Sequence, residues 1–537
     1  MYYFKIFYTK NIRLFILCAL GTCLLSCTKN FELYNTNPNQ LKPELLDYDN
    51  LSKGAYFTVM QQGIFPFGGV GSESTNSYQA SENLCGDIYG GYHGMTHNWN
   101  AAGDGTNYNF SQNWNATAFN LLYGTVMINW QKVRNSSKTD NPDLYATAQI
   151  IKAHAAQRTV DMYGAIPYSK ALVGLSAAYD PADAIYYSVL KELDSAITTL
   201  KTYAAIGAKP LALFDVVYRG DYTQWIKFAN SLKLRMAMRM VYADPTKAKE
   251  YAESAINDSY GVITSTADNA IIRGTNGKTY GNPLGGLTND YSEARMSANM
   301  ESFLNGYSDP RKSKYFIESA VAGDPAGSFR GIRSGIIIAS QLPYNSFSKL
   351  TSDFNITWLT ASEVYFLRAE GALRGWNMGG TAQTFYESGV KSSFEQWGAG
   401  DATTYLQNST NKPAEYKDPV NSTYNVAAGA NLSTMTIKWD ELANFETKLE
   451  RIITQKWIAI YPNGQEAWSE FRRTRYPKIF PIAENKSGGL VNTAIQIRRI
   501  PYPAAEYRTN AKNVAAAVTL LGGPDNGGTK IWWDKKP

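Results

Sequence analysis

The sequence predicts a mainly α-helical protein built of helical hairpins, with long irregular loops and few short strands. Three observations carry this. Apolar and small residues recur at helical spacing along most of the chain, as with Trp225, Phe228, Leu232, Met236 and Met240. Helix-start chemistry stands at the heads of such stretches: Asp221 and Gln224 are three apart, as are Thr360 and Glu363, the spacing of a capping box. Strand-like runs are few, the best of them at 335–340 and 494–500.

The front of the chain is an export signal. Lys5, Lys10 and Arg13 precede an apolar run over 14–25, and Leu24-Leu25-Ser26-Cys27 follows. A run of roughly 12 apolar residues is a signal core, too short for the about 20 residues of a membrane span. A Cys at the cut resembles the lipobox of bacterial lipoproteins. Residues 1–26 are therefore the expected signal peptide and Cys27 the expected lipidation site. Residues 27–50, rich in Asn-Pro, Lys-Pro and polar side chains, read as an extended tether, and 51–537 as one helical domain.

Helices are expected at Leu51–Gln62, 114–135, 143–163, 180–200, 221–242, 248–256, 360–374, Ala382–Trp397, 440–461 and 465–473. Several form antiparallel pairs with short turns, and small residues such as Gly371 and Ala372 sit where helices must approach. This is a tetratricopeptide-like scaffold, without a strict 34-residue repeat. The cations Lys227, Lys233, Arg235 and Arg239 fall outside the apolar stripe and read as a solvated face. Trp225, Trp457 and Trp468 lie within helical patterns and read as core. The cluster Arg472-Arg473-Thr474-Arg475 is expected to pair with Glu466 and Glu470.

Two stretches break the helical pattern, at about 63–113 and 261–357. Glycines punctuate the first (Gly68, Gly69, Gly71, Gly90, Gly91, Gly94, Gly103, Gly105), and Gly, Asn, Ser and Asp run through the second. Long loops of this kind usually carry function, so both are expected to form ligand-facing lobes.

The net charge is +6, or +3 once the three cations of the signal are removed, without the concentrated basic face that nucleic acid requires. Of the four cysteines only Cys85 follows Cys27, so no internal disulfide forms and Cys85 reads as a small buried apolar residue. The composition is rich in aromatic residues, with 37 Tyr, 22 Phe and 12 Trp. Such rings join an apolar face to a polar edge, which matches the C–H face and hydroxyl rim of a sugar. The candidate ligand residues are the loop-borne Tyr89, Tyr92, His93, Trp99, Arg273, Tyr280, Asn282, Asn289 and Tyr291. Each ring can either pin its loop to the body or stack on a ligand. His93 and His97 are four apart but not on a helix, and only His154 accompanies them, so no metal site and no cofactor is expected. Asp87, Asp104 and Asp290 show no framework for the paired carboxyls of a glycosidase, so no catalytic residue is assigned.

Stretches along nearly the whole chain resemble the SusD/RagB family, in its SusD-like branch. They include Tyr34-Asn35-Thr36-Asn37-Pro38-Asn39, Tyr163-Gly164-Ala165-Ile166-Pro167-Tyr168-Ser169 and Asp221-Tyr222-Thr223-Gln224-Trp225. With them stand Thr360-Ala361-Ser362-Glu363, Gln455-Lys456-Trp457, Asn463-Gly464-Gln465-Glu466-Ala467-Trp468, Arg499-Ile500-Pro501-Tyr502-Pro503 and Trp532-Trp533-Asp534. The resemblance implies a tetratricopeptide-like scaffold and a nutrient-binding outer-membrane lipoprotein of Bacteroidetes. It also implies a lid over a SusC-type TonB-dependent transporter, without catalysis. The expected ligand is an oligosaccharide. A peptide is the alternative, and a lipoprotein glycosidase the less favoured one. Surface exposure in these bacteria is often linked to acids after the lipidated Cys, whereas Thr28-Lys29-Asn30-Phe31-Glu32 holds one acid.

Overall fold

Helical stretches that bury one side pair with their neighbours in sequence. The computed structural model describes residues 51–67, 72–98, 105–110, 114–174, 176–274 and 280–536. The signal, Cys27, the tether and Trp99 lie outside the described residues. Among these residues twelve α-helices have nine residues or more. They are α1 Leu51–Gln62, α2 Ile128–Ser137, α3 Pro142–Tyr163, α4 Ala182–Ala204, α5 Tyr222–Arg239 and α6 Pro245–Ile256, followed by α7 Ala298–Gly306, α8 Ala361–Leu373, α9 Ala382–Trp397, α10 Phe445–Ala459, α11 Gly464–Thr474 and α12 Ala511–Leu521.

The pairs α3–α4, α5–α6 and α8–α9 are hairpins, α4 packs on α5, and α10 packs against α8 and α9. The reason is in the side chains. On α4, Ile185, Val189, Leu193, Ala196 and Leu200 are buried at spacings of three and four, a single apolar stripe. Between α8 and α9 the approach is set by Gly389, where a Cβ would lie 2.8 Å from the ring of Phe366. The expected caps form: Asp221 accepts from the Gln224 N–H at 3.2 Å and Thr360 from the Glu363 N–H at 3.3 Å. The Glu363 side chain does not close its box, because both its oxygens accept from Arg235 at 2.8 Å.

That contact belongs to an internal ion network and overturns the expected solvated face of α5. Arg239 meets Asp161 at 3.3 Å, Glu466 at 2.5 Å and Glu470 at 2.6 Å. Arg473 bridges Glu370 and Glu470, each at 2.6 Å, and Lys456 reaches Glu466 at 3.2 Å. All these groups are buried. The apolar stripe of α5 is buried on one side, but α3, α4 and α8 cover the rest, so its arginines had to bring carboxylates in with them. Lys233 is buried too, and Lys227 alone of the four cations stays partly exposed. Arg473 pairs as expected. Arg472 instead donates to the carbonyls of Asp161 (2.6 Å) and Arg498 (2.9 Å).

The two strand-like runs are not strands. Four other short ones form: β1 His93–Met95 pairs antiparallel with β3 Ala294–Met296, and β2 Ala270–Ile271 with β4 Thr357–Leu359. In 335–340 the backbone donors find side chains rather than a ladder: Ile338 N–H donates to Asn98 Oδ1 at 2.8 Å and Ile337 N–H to the Tyr424 hydroxyl at 3.3 Å.

The first expected loop is also partly helical. Ser72–Tyr78 is an α-helix and runs into a π-helical segment over Gln79–Asp87. Its glycines permit helix contact rather than turns. A Cβ on Gly86 would lie 2.4 Å from the Gln465 nitrogen, and one on Gly464 2.4 Å from Asp87 Cα. Cys85 is buried there, as expected, and burial pushes its thiol up, away from thiolate chemistry.

Glu82 on this segment pairs with Arg158 at 2.6 Å, yet burial outweighs the pairing and raises its carboxyl to about 7. A carboxyl raised on folding stabilises fully below its unfolded value and loses that contribution as pH climbs through the folded one. Glu82→Gln should therefore flatten the fall in stability between about pH 4.5 and 7. Urea melts of both proteins across that window check this: parallel profiles would discard the assignment.

Candidate functional site

The β1–β3 ladder sews the two irregular stretches together, with His93 opposite Met296 and Met95 opposite Ala294. This pairing, with the contact of 79–87 on α11, decides where the candidate residues lie. Tyr92 is 0 % exposed. Its hydroxyl donates to the Trp457 carbonyl at 2.5 Å, and its ring lies 5.3 Å from those of Trp457 and Tyr461. Tyr89 is 4 % exposed, donates to the Gly105 carbonyl at 3.1 Å and packs on Trp468 at 5.4 Å. His93 is buried, its Nδ1 2.9 Å from Asn83 and 3.3 Å from Asp87. All three are buried, contrary to the expected ligand-facing role: they hold the segment to the core, and of them Tyr89 alone borders a small cavity, with Leu84, Phe110 and Trp114.

The remaining candidates lie nearer solvent. Arg273 is half-buried and donates to the carbonyls of Val217 (2.5 Å) and Ile271 (3.1 Å). Asn282 caps a short helix, accepting from the Leu284 N–H at 3.1 Å and donating to the Phe354 carbonyl at 3.2 Å. Both side chains are thus committed to backbone. Tyr280 is half-buried, edge-on to Phe67 with centroids 4.9 Å apart. Asn289 is exposed and accepts from Lys349 at 3.4 Å, and the half-buried Tyr291 donates its hydroxyl to Asn76 at 2.7 Å.

Asn289 and Tyr291 belong to one surface patch with residues that the sequence did not single out. Ser292, at φ 55, turns the chain here. Glu293 accepts from Gln79 Nε2 and lies 3.6 Å from His97 Nε2. Burial raises the Glu293 carboxyl, and Gln79 and His97 oppose the shift. Gln341 donates to Thr96 Oγ1 at 3.0 Å and to the Ser292 carbonyl at 3.1 Å. A ring, several amides, an imidazole and a carboxylate thus converge from four chain segments. Such a set can stack on an apolar face and exchange hydrogen bonds with hydroxyls or amides around it. Asn76 and Gln79 went unnoticed because they lie in a stretch read as loop, and Gln341 because its partners Thr96 and Ser292 are 245 and 49 residues away in sequence.

Hairpin helices with a polar, ring-bearing surface between their connections define a helical-repeat binding scaffold. The description "Susd and RagB outer membrane lipoprotein" matches residues 33–534, and the chain belongs to this SusD-like family of outer-membrane lipoproteins. Solved structures agree over almost their full length. A chitin-binding SusD homologue from Flavobacterium johnsoniae is 38% identical, with a TM-score of 0.85 over 90% of this chain and 98% of that one. A SusD homologue from Bacteroides uniformis is 39% identical with a TM-score of 0.82, covering 91% and 100%. One from Bacteroides thetaiotaomicron is 38% identical with a TM-score of 0.82, covering 90% and 99%. No curated protein sequence matched the chain.

Proposed function

We propose that the protein captures oligosaccharides at the Tyr291 surface without cleaving them, as a lid over a SusC-type TonB-dependent transporter. In this reading Cys27 carries the lipid that holds the chain to the outer membrane, with the body facing the cell exterior. The observation that carries it is the likeness to a chitin-binding relative across nearly the whole of both chains. The surface supports it chemically. A pyranose ring would lie on Tyr291, while Asn76, Asn289 and Gln341 supply amides for acetamido or hydroxyl groups. Trp99 and Tyr280 remain candidates for further stacking.

The test is titration of the full-length chain, solubilised in a mild detergent, with chitohexaose. Binding without release of new reducing ends is expected. Tyr291→Ala should weaken it about fivefold, the worth of roughly 1 kcal/mol of ring contact, with the melting temperature unchanged. Inertness toward chitohexaose and other neutral glycans, or binding of peptides in their place, would sink the reading. Co-purification of a transporter barrel tests the lid.

A further inference from the structure

A groove of about 350 Å³ lies between α2, α3 and α4 and shares no residue with the Tyr291 surface. On its floor is Lys152, 4 % exposed. The Lys152 ammonium sits 4.3 Å from the Trp130 ring and 4.4 Å from the Tyr168 ring, and pairs with Glu192 at 3.1 Å. Glu192 also accepts from the Tyr168 hydroxyl at 2.5 Å. It is the single carboxylate among the groove's lining residues, and Lys152 engages it.

Two more cations line the same groove. Arg134 leans on Trp130 with its guanidinium 5.7 Å from the ring, and Lys138 on Tyr145 at 6.0 Å. Both side chains are exposed, and among the described residues neither has an acidic partner. They stand four apart where α2 ends, a helix C-terminus that favours cations. The groove therefore holds two positive charges in excess, beside rings and a row of hydroxyls from Ser188, Ser195 and Thr199 on α4.

We infer that this groove is a second binding site, one that takes an anionic saccharide. The carboxylate of a uronic acid would lie between Arg134 and Lys138, a charge-assisted contact, with its ring hydroxyls toward the α4 side chains. The volume is at the small end of ligand pockets and suits one or two sugar rings. An acidic peptide would also meet two cations, but the row of α4 hydroxyls suits a polyhydroxylated ring, and titration separates the two. The inference does not rest on neutral-glycan capture at Tyr291.

The test uses the full-length chain in mild detergent, titrated with a galacturonic acid trimer, with chitohexaose and with a hexaglutamate peptide. The trimer should bind, and R134A/K138A should weaken it about tenfold or more, the loss of charge-assisted hydrogen bonds. Salt should weaken the wild-type complex likewise. Chitohexaose titration should be the same in both proteins. Should the double variant melt early, Lys138→Gln alone, a change in solvent, makes the same comparison. No binding of the trimer, equal binding by variant and wild type, or hexaglutamate binding as tightly as the trimer would each overturn the inference.

Discussion

Arg239→Met is expected to lower the unfolding free energy by about 3–5 kcal/mol, the cost of removing one partner from a buried ion pair. The side chain is fully buried and faces Asp161, Glu466 and Glu470. Methionine fills much of the volume, so the loss is electrostatic. Three carboxylates would keep their desolvation with less to offset it. The exposed pair Lys247–Glu250, 2.6 Å apart on α6, gives the contrast: Lys247→Ala should leave the unfolding free energy almost unchanged, because water screens the pair. Urea unfolding measures both. A loss under about 1 kcal/mol for Arg239→Met would show that water reaches the network.

The same replacement carries a pH signature. Burial pushes the Glu466 and Glu470 carboxyls up. Arg239 and Lys456, with Arg235 at Glu466 and Arg473 at Glu470, outweigh it and hold both below the usual carboxylate value. Carboxyls lowered on folding stabilise above their unfolded value, and the contribution fades as pH falls through the folded one. Without Arg239 their folded values rise, and protonation becomes less costly to the variant than to the wild type. The deficit should therefore be largest near neutral pH and shrink on acidification. Adding Glu470→Gln to Arg239→Met should recover part of it, because the two residues share one network.

Most of the scaffold was legible because it rests on local rules. The stripe of α5 and the Asp221 and Thr360 caps lie within a few residues of what they organise, and α9 falls at the expected Ala382–Trp397. What escaped depends on distant partners. Arg235 and Arg239 look solvated until α8 and α11 bring Glu363, Glu466 and Glu470 to them. Gly464, between two expected helices, looks like a turn mark until the 79–87 segment is seen crossing at it. The site was legible only in outline. The irregular stretches do hold the polar surface, but a ring in a loop carries no sign of which way it points. Tyr92 and Tyr291 look alike in sequence, and β1 pairing with β3 turns the first into core.

Tyr92→Ala follows from that distinction. The ring is buried between Trp457 and Tyr461, and its hydroxyl donates to the Trp457 carbonyl. Truncating a large core aromatic to Ala costs about 3–5 kcal/mol through lost contacts and the cavity left behind. Tyr92→Phe keeps the ring and should cost about 1 kcal/mol for the hydrogen bond. Chitohexaose affinity of the protein that remains folded should be unchanged in both. Tyr291→Ala should do the reverse, weakening binding with stability intact. The pair thus separates a ring that builds the fold from one proposed to meet the ligand. If Tyr92→Ala abolished binding while the urea midpoint held, β1 would have to open far enough to bring that ring to the sugar, and the burial seen here would describe a closed state alone.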